Sequence, residues 1–308
     1  VFGRKERGFH LGSLKNYYKR WLLTRQSAHH KMIKVNYVKE YCEILDPYVE
    51  LKDMHWEDHK CKYRYTGGYA NFHLMRMSKG LYVDNFPKLG QYKEAEPDES
   101  VLNHFKQIGN DRYGQDEGIF KPDRPYNLFC LQMSRTKDYD NTVKALQWAT
   151  KNKQYTVFRA HPCPGDATFY GPLWGHFMKL GLLSEYTVFV EGCRSKEMVE
   201  YADRIISSDS AVSFKGAIMG KPVIQMRDYN MMNDIIPAIP DLEGCLNVKP
   251  ISEEQFTQWL TWFYHCICHD FHGTGYAEKL IRKLKFYEAG HTDEDLHSWK
   301  YLKNLGHI

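Results

Sequence analysis

The 308-residue chain has no apolar run approaching the ~18 residues that span a bilayer. Its first residues, which begin at Val1, also lack the apolar stretch of a secretory leader. These two absences lead to the expectation of a soluble, cytoplasmic protein. Cysteine is sparse: Cys42, Cys61, Cys130, Cys163, Cys193, Cys245, Cys266 and Cys268 are the eight, and their spacing forms no disulfide framework. They read as small buried apolar residues in a reducing compartment. There is no sequence repeat and no low-complexity tract. Net charge is also small, at +4. What is present is a chain with 43% hydrophobic and 15% aromatic residues, enough for a packed core in one large domain or two modest ones.

The small net charge conceals a segregation. Residues 1–39 hold ten Lys/Arg and one acid, Glu6, a local +9; the remainder has 32 basic and 37 acidic residues, or −5. A basic segment on a mildly acidic body suits a polyanionic partner. Aromatics are interleaved with the charge, so Lys15, Lys19, Arg20 and Arg25 with Tyr18 and Trp21 are candidate nucleic-acid-binding residues: cations for phosphates, rings for bases. The competing reading is a solvated helix over 11–26, with Leu11, Leu14, Tyr18, Trp21 and Leu22 docked on the core.

Past Pro125 the pattern becomes an alternation of short apolar runs and helical segments. Strands are expected at 126–132, 155–159, 187–190, 204–207 and 222–226, and helices at 140–151, 173–183, 195–202 and 211–219. Such β–α alternation predicts a parallel sheet with helices on both faces. The loops after its strands then share one edge, where ligands bind in open α/β sheets. Upstream, 97–105 reads as a helix, 80–84 as a strand and 109–125 as a linker; downstream, 252–308 reads as helical. The expected organisation is a basic N-terminal region (1–125), a Rossmann-like nucleotide-binding domain (126–250) and C-terminal helices (251–308).

Chemistry-bearing residues gather at those strand ends. Gln132 and, a few residues on, Asp138 and Asp140 follow the first strand; either carboxylate is a candidate general base for an acceptor hydroxyl, although Asp140 also suits the cap of a helix starting near Asn141. Arg159 and His161 end the second strand, before Pro162. Glu191 and Arg194 follow the third, with Glu191 a candidate acceptor of sugar hydroxyls. Ser207, Ser208, Asp209, Ser210 and Ser213 open a helix whose N-terminus suits a diphosphate. N-capping explains one serine of that cluster better than all of them. His265-Cys266-Ile267-Cys268-His269, with Asp270, lacks the paired ligand spacing of a zinc site and reads as a packed amphipathic helix, so no metal is expected.

These motifs resemble the nucleotide-binding half of GT-B glycosyltransferases, and within them the capsule-polysaccharide group that includes Kdo transferases. The matching residues are Gln132 with Asp138 or Asp140, His161-Pro162, Ser210-Ala211-Val212-Ser213-Phe214-Lys215-Gly216 and Gly220-Lys221-Pro222-Val223, about a third of the chain. The resemblance implies an α/β, GT-B-like fold and a metal-independent transfer from a UDP- or CMP-sugar co-substrate, with no other cofactor. It implies that Gln132, Arg159, His161, Glu191, Ser208, Asp209, Ser210, Ser213 and Lys215 bind the donor. It implies too that Asp138, Asp140 and His161 are the catalytic set. Lys215 stands where the group has Glu, and Lys cannot accept hydrogen bonds. Combined with the basic segment, the resemblance leads to the expectation of a phage enzyme that glycosylates hydroxymethylated pyrimidines in duplex DNA. A capsule or cell-envelope saccharide is the alternative acceptor, and a non-catalytic DNA-binding protein the alternative class.

Overall fold

The computed structural model describes residues 54–56, 63–67, 74–79, 90–107, 122–131, 136–160, 167–191, 193, 195–208, 210–227, 232–270 and 275–308. The candidate nucleic-acid residues Lys15, Tyr18, Lys19, Arg20, Trp21 and Arg25, the strand expected at 80–84 and most of the linker lie outside them.

Three strands come first: β1 (Met54–Trp56), β2 (Tyr63–Gly67) and β3 (Leu74–Lys79), followed by helix α1 (Glu99–Gln107). The alternation after Pro125 is observed as β4 (Asn127–Cys130), α2 (Thr136–Lys151), β5 (Thr156–Arg159), α3 (Ala167–Lys179), β6 (Thr187–Val190), α4 (Ser195–Tyr201), β7 (Arg204–Ser207), α5 (Ala211–Ile218) and β8 (Val223–Gln225). Then come α6 (Glu253–Trp262), a π-helical turn at Phe263–Ile267, β9 (His269–Asp270), α7 (Tyr276–Glu288), α8 (Asp293–His297) and α9 (Trp299–Asn304).

β4 to β8 form one all-parallel sheet in the order β6-β5-β4-β7-β8. Its strands are short and buried on both faces, hence apolar without alternation. Phe129, Phe158, Ile206 and Ile224 meet α2 and α3 through Leu146, Ala149 and Phe177. Leu128, Val157, Ile205 and Val223 meet α4 and α5 on the opposite face through Met198, Val199, Phe214 and Ala217, and that core continues into α1, α6 and α7. This is the α/β class read from the sequence, a Rossmann-like parallel sheet with helices on both faces, accompanied by a second, smaller β region.

That second region was not foreseen. β1 pairs parallel with β2, β2 antiparallel with β3, and β3 antiparallel with β9. The C-terminal segment is therefore not helical throughout, because it supplies a strand to a sheet begun some two hundred residues earlier. Two helix starts also differ from expectation. α2 begins at Thr136, so Asp140 lies inside the helix and not at its cap; α3 begins at Ala167 and carries Pro172 within it.

An aromatic stack locks the helices above the sheet. Phe214 of α5 meets Phe105 of α1 at 5.6 Å and Trp259 of α6 at 5.9 Å, and Trp259 stacks on Phe263 at 5.0 Å. Each such pair contributes about 0.5–1.5 kcal/mol beyond area burial. The stack ties α1, α5, α6 and the π-helical turn into one body.

Candidate functional site

The strand order places a topological switch between β4 and β7. The chain leaves β4 toward the α2 face and leaves β7 toward the α5 face, so their carboxyl ends open a crevice between diverging helices. Register then explains what lines it. Cys130 is paired with Arg159 on one side and Ser207 on the other, and Ser207 with Gln225. The sheet is apolar along its length and ends, on the α5 face, in a row of Arg159, Cys130, Ser207 and Gln225.

The serines build a framework among themselves. The Ser210 amide donates to Ser207 Oγ at 3.2 Å, Ser207 Oγ and Ser213 Oγ share a hydrogen bond of 2.7 Å, and Ser210 Oγ caps α5 by accepting from the Val212 amide at 3.2 Å. Ser208, 2% exposed, accepts from Asn141 Nδ2 of α2 at 3.0 Å, a bridge across the mouth of the switch. Ser207 and Ser213 are thus committed inward, and Ser208 and Ser210 shape the rim beside the N-terminus of α5.

Arg159 and Lys215 are each 5% exposed and also turn inward. Arg159 Nε and Nη2 donate to the Cys193 carbonyl at 3.3 and 3.1 Å, which holds the chain after β6 against the end of β5. Lys215 Nζ donates to Ser195 Oγ at 3.1 Å and ties α5 to the start of α4. Burial pushes the Cys130 thiol up to about 12, with Arg159 opposing, and also raises Cys193. Both thiols are therefore protonated at neutral pH and are not nucleophiles.

Glu191 is exposed at the end of β6, and Asp140 is exposed on α2. The side chains of Gln132, Asp138, His161 and Asp209 lie outside the described residues. β4, β5 and β7 nevertheless end at one shared edge of the sheet, ahead of Gln132, His161 and Asp209 in the chain, and Asp138 falls within α2. Among the described residues no group of three or more His, Cys, Asp or Glu could hold a metal ion. Cys266 and Cys268 are buried, and burial raises both thiols, which opposes the thiolate form that a metal requires.

The motif that follows α5 has a local cause. Gly220 has φ +65° and ends the helix: its amide donates to the Ala217 carbonyl at 3.0 Å and the Lys221 amide to Gly216 at 2.9 Å, the paired bonds of a Schellman stop. Pro222 then delivers the chain to β8. A Cβ on Gly216 would lie 2.8 Å from Ile205 Cγ1 and 3.0 Å from Val223 Cγ2, so this position keeps α5 close to the sheet.

Two features escaped the sequence reading. Asn141 was seen only as the start of a helix, yet it bridges the switch. His104 of α1 was not singled out at all; it lies 2.5 Å from Asp270 Oδ2 of β9, across 166 positions of sequence.

No protein-family model and no curated protein matches the chain. Solved structures similar to it include two from Thermosulfurimonas dismutans. One is the KpsC β Kdo 2,4 transferase, at 14% identity over 65% of this chain and 71% of that one, with a TM-score of 0.40. The other is the KpsC β Kdo 2,7 transferase, at 15% identity over 91% and 98%, with a TM-score of 0.40. A UDP-GlcNAc 2-epimerase from Methanocaldococcus jannaschii, in complex with UDP-GlcNAc and UDP, is 16% identical over 64% of this chain and 51% of that one, with a TM-score of 0.35. Likenesses this distant leave the functional argument to the chain's own geometry.

Proposed function

We propose that the chain is a glycosyltransferase that binds a nucleotide sugar in the crevice between β4 and β7. The observation that carries this reading is the switch point itself. The segments bearing Gln132, His161 and Asp209 begin at its edge, Asp138 follows in the first turn of α2, and the N-terminus of α5 opens beside Ser208 and Ser210. Helix N-terminal amides and nearby cations suit a diphosphate and the charge that grows on a departing nucleotide. The acceptor hydroxyl attacks the anomeric carbon, and the sugar–phosphate bond breaks toward the nucleotide. Asp138, Asp140 and His161 remain the catalytic candidates, and the framework of Arg159, Ser207, Ser213 and Lys215 positions the loops that carry the ligand.

Two acceptors have support of different kinds. The +9 of residues 1–39 supports a polyanion, and duplex DNA is the form proposed. The His161-Pro162 and Gly220-Lys221-Pro222-Val223 motifs support a capsule-type saccharide. Thermal-shift and calorimetric titration against UDP- and CMP-sugars, with and without duplex DNA, tests the reading. Saturable stabilisation by one donor is the expected result, and absence of any nucleotide-sugar binding ends the transferase reading. Salt-sensitive duplex affinity selects DNA; transfer to an oligosaccharide without duplex affinity selects the saccharide.

A further inference from the structure

β8 ends in a buried side chain whose polar group is unmatched. Gln225 is 2% exposed, and its Oε1 is buried with no hydrogen-bond donor among the described residues. Its backbone is committed: the amide donates to the Pro237 carbonyl at 3.1 Å, and the carbonyl accepts from the Ile239 amide at 2.7 Å. The unmatched group is therefore the side chain alone. Buried polar atoms are nearly always paired in folded proteins, so such an atom marks a place where water or a ligand completes the bond.

Register and helix packing place this side chain at the first turn of α5. Gln225 pairs with Ser207, and partners in a ladder share a face of the sheet. Val223, two residues earlier, belongs to the α5-face core, while Ile224 and Met226 belong to the opposite one. A Cβ on Gly216 would meet both Ile205 of β7 and Val223 of β8, so α5 lies over that strand pair. The helix runs back from the carboxyl edge, because Ser207 Oγ accepts from the Ser210 amide and shares a bond with Ser213 Oγ in its first turn. Gln225, level with Ser207, therefore lies beneath the N-terminal turn of α5, one strand beyond the switch. Its neighbours in the row differ from it chemically. Arg159 and Lys215 only donate, Ser207 and Ser213 bond each other, and the Cys130 thiol stays protonated. Donors and helix N-terminal amides suit phosphate oxygens. Gln225 Oε1 adds an acceptor suited to a hydroxyl.

We propose that Gln225 is a specificity-determining residue that reads a sugar hydroxyl of the nucleotide sugar, a role that rests on the transferase reading above. The phosphate lies at the amides of α5, and a hydroxyl of the sugar next to it donates to Gln225 Oε1. Ribose and the transferred sugar both flank the phosphate and both present this chemistry. Binding thus completes a hydrogen bond that the free protein leaves open, so the ligand gains the bond without breaking one within the protein.

Titration calorimetry of the full chain and of Gln225→Met tests this, with UDP, CMP, their 2′- and 3′-deoxy forms, and UDP- and CMP-sugars as probes. Gln225→Met should weaken the nucleotide sugar that the parent binds by roughly three- to tenfold. Its thermal midpoint should hold or rise, because an apolar chain of similar length replaces an unmatched acceptor. Equal weakening of the bare nucleotide and of its sugar conjugate assigns the hydroxyl to ribose, and one of the two deoxy nucleotides should then bind parent and variant alike. Weakening of the conjugate alone assigns it to the transferred sugar. Unchanged affinity overturns the proposal and leaves a buried water as the partner of Oε1. A lowered midpoint also overturns it, since the amide then belongs to the framework. If the parent itself binds none of the probes, the transferase reading is what has failed, and the role of Gln225 falls with it.

Discussion

The loop and helix between β7 and β8 and the junction of α1 with β9 are both small polar constructions over an aromatic core, but they are built by different rules. In the first, the backbone and serine partners are close in sequence, Ser210 to Ser207, Ser207 to Ser213 and Lys221 to Gly216, while Asn141 and Ser195 reach in from α2 and α4. In the second, His104 meets Asp270 across 166 positions, held there by Phe105, Tyr264 and the strand pairing of β9. The first is closed mostly within one stretch of chain. The second exists only once two sheets and three helices are in place. A local construction makes a durable rim for a ligand, whereas a long-range one reports whether the two β regions are joined.

Arg159 gives the largest way to break that contrast, since it sits at the carboxyl edge yet works over 34 positions. Replacing it with Met leaves the Cys193 carbonyl without its donors, and the variant should lose about 2–4 kcal/mol in urea unfolding. If Arg159→Met keeps its stability and loses only donor binding, Arg159 belongs to the ligand and not to the framework.

The difference between the two constructions also explains what was legible in the sequence. Apolar runs such as Val157-Phe158 and Ile205-Ile206, each followed by a polar loop and an amphipathic segment, gave the strands and their order in the chain. The serine cluster and the apolar run after it placed a helix over 211–219, and α5 is observed at Ala211–Ile218. β9 stayed hidden because its hydrogen bonds go to β3, far earlier in the chain, and a two-residue strand carries no period of its own; β1, β2 and β3, which pair with near neighbours, were not read as strands either. Asp270 was noticed only among His and Cys neighbours, where metal was the question, and His104 read as an ordinary member of a helix. Spacing reveals neighbours on one element. It holds no record of a partner that a distant strand brings in.

The junction side is best stressed by pH. His265, beside Tyr264, is held down to about 4 by burial, with Lys279 adding and Asp98 opposing; His307 is held to about 4 by burial and then by Lys283, Arg282 and Lys279. Both are neutral in the folded and unfolded chain above 6.5. Between 6.5 and about 4 the unfolded chain takes up protons that the folded one refuses, so stability falls as pH falls through that window. The pair should cost roughly 2 kcal/mol by pH 4, discounted because both rings are partly solvated. Urea midpoints from pH 7 to 4 measure this, and His265→Gln should flatten the slope. An unchanged slope in that variant would place the lost stability elsewhere.

Gly216→Val sharpens the comparison from the local side, because the added carbons would meet Ile205 and Val223 inside the α5–sheet contact. Overpacking of this kind costs about 1–3 kcal/mol. The thermal midpoint should fall while His104 NMR signals stay where they were, since the junction hangs on Phe214 and not on Gly216. Movement of His104 would show that the two constructions share one mechanical unit.

The smallest effect belongs to Gly220. Its φ of +65° lies where a Cβ is strained, with nothing within 4 Å for that Cβ to strike. Gly220→Ala therefore isolates backbone strain from packing and should cost about 1 kcal/mol. Thermal unfolding of Gly220→Ala against Gly216→Val separates the two contributions to the Gly-Lys-Pro-Val turn. A cost for Gly220→Ala equal to or larger than that of Gly216→Val would mean that the Schellman stop, rather than the close approach of α5 to the sheet, holds the rim of the crevice in place. Ser208 and Ser210 would then owe their positions to the end of the helix they open as much as to its beginning.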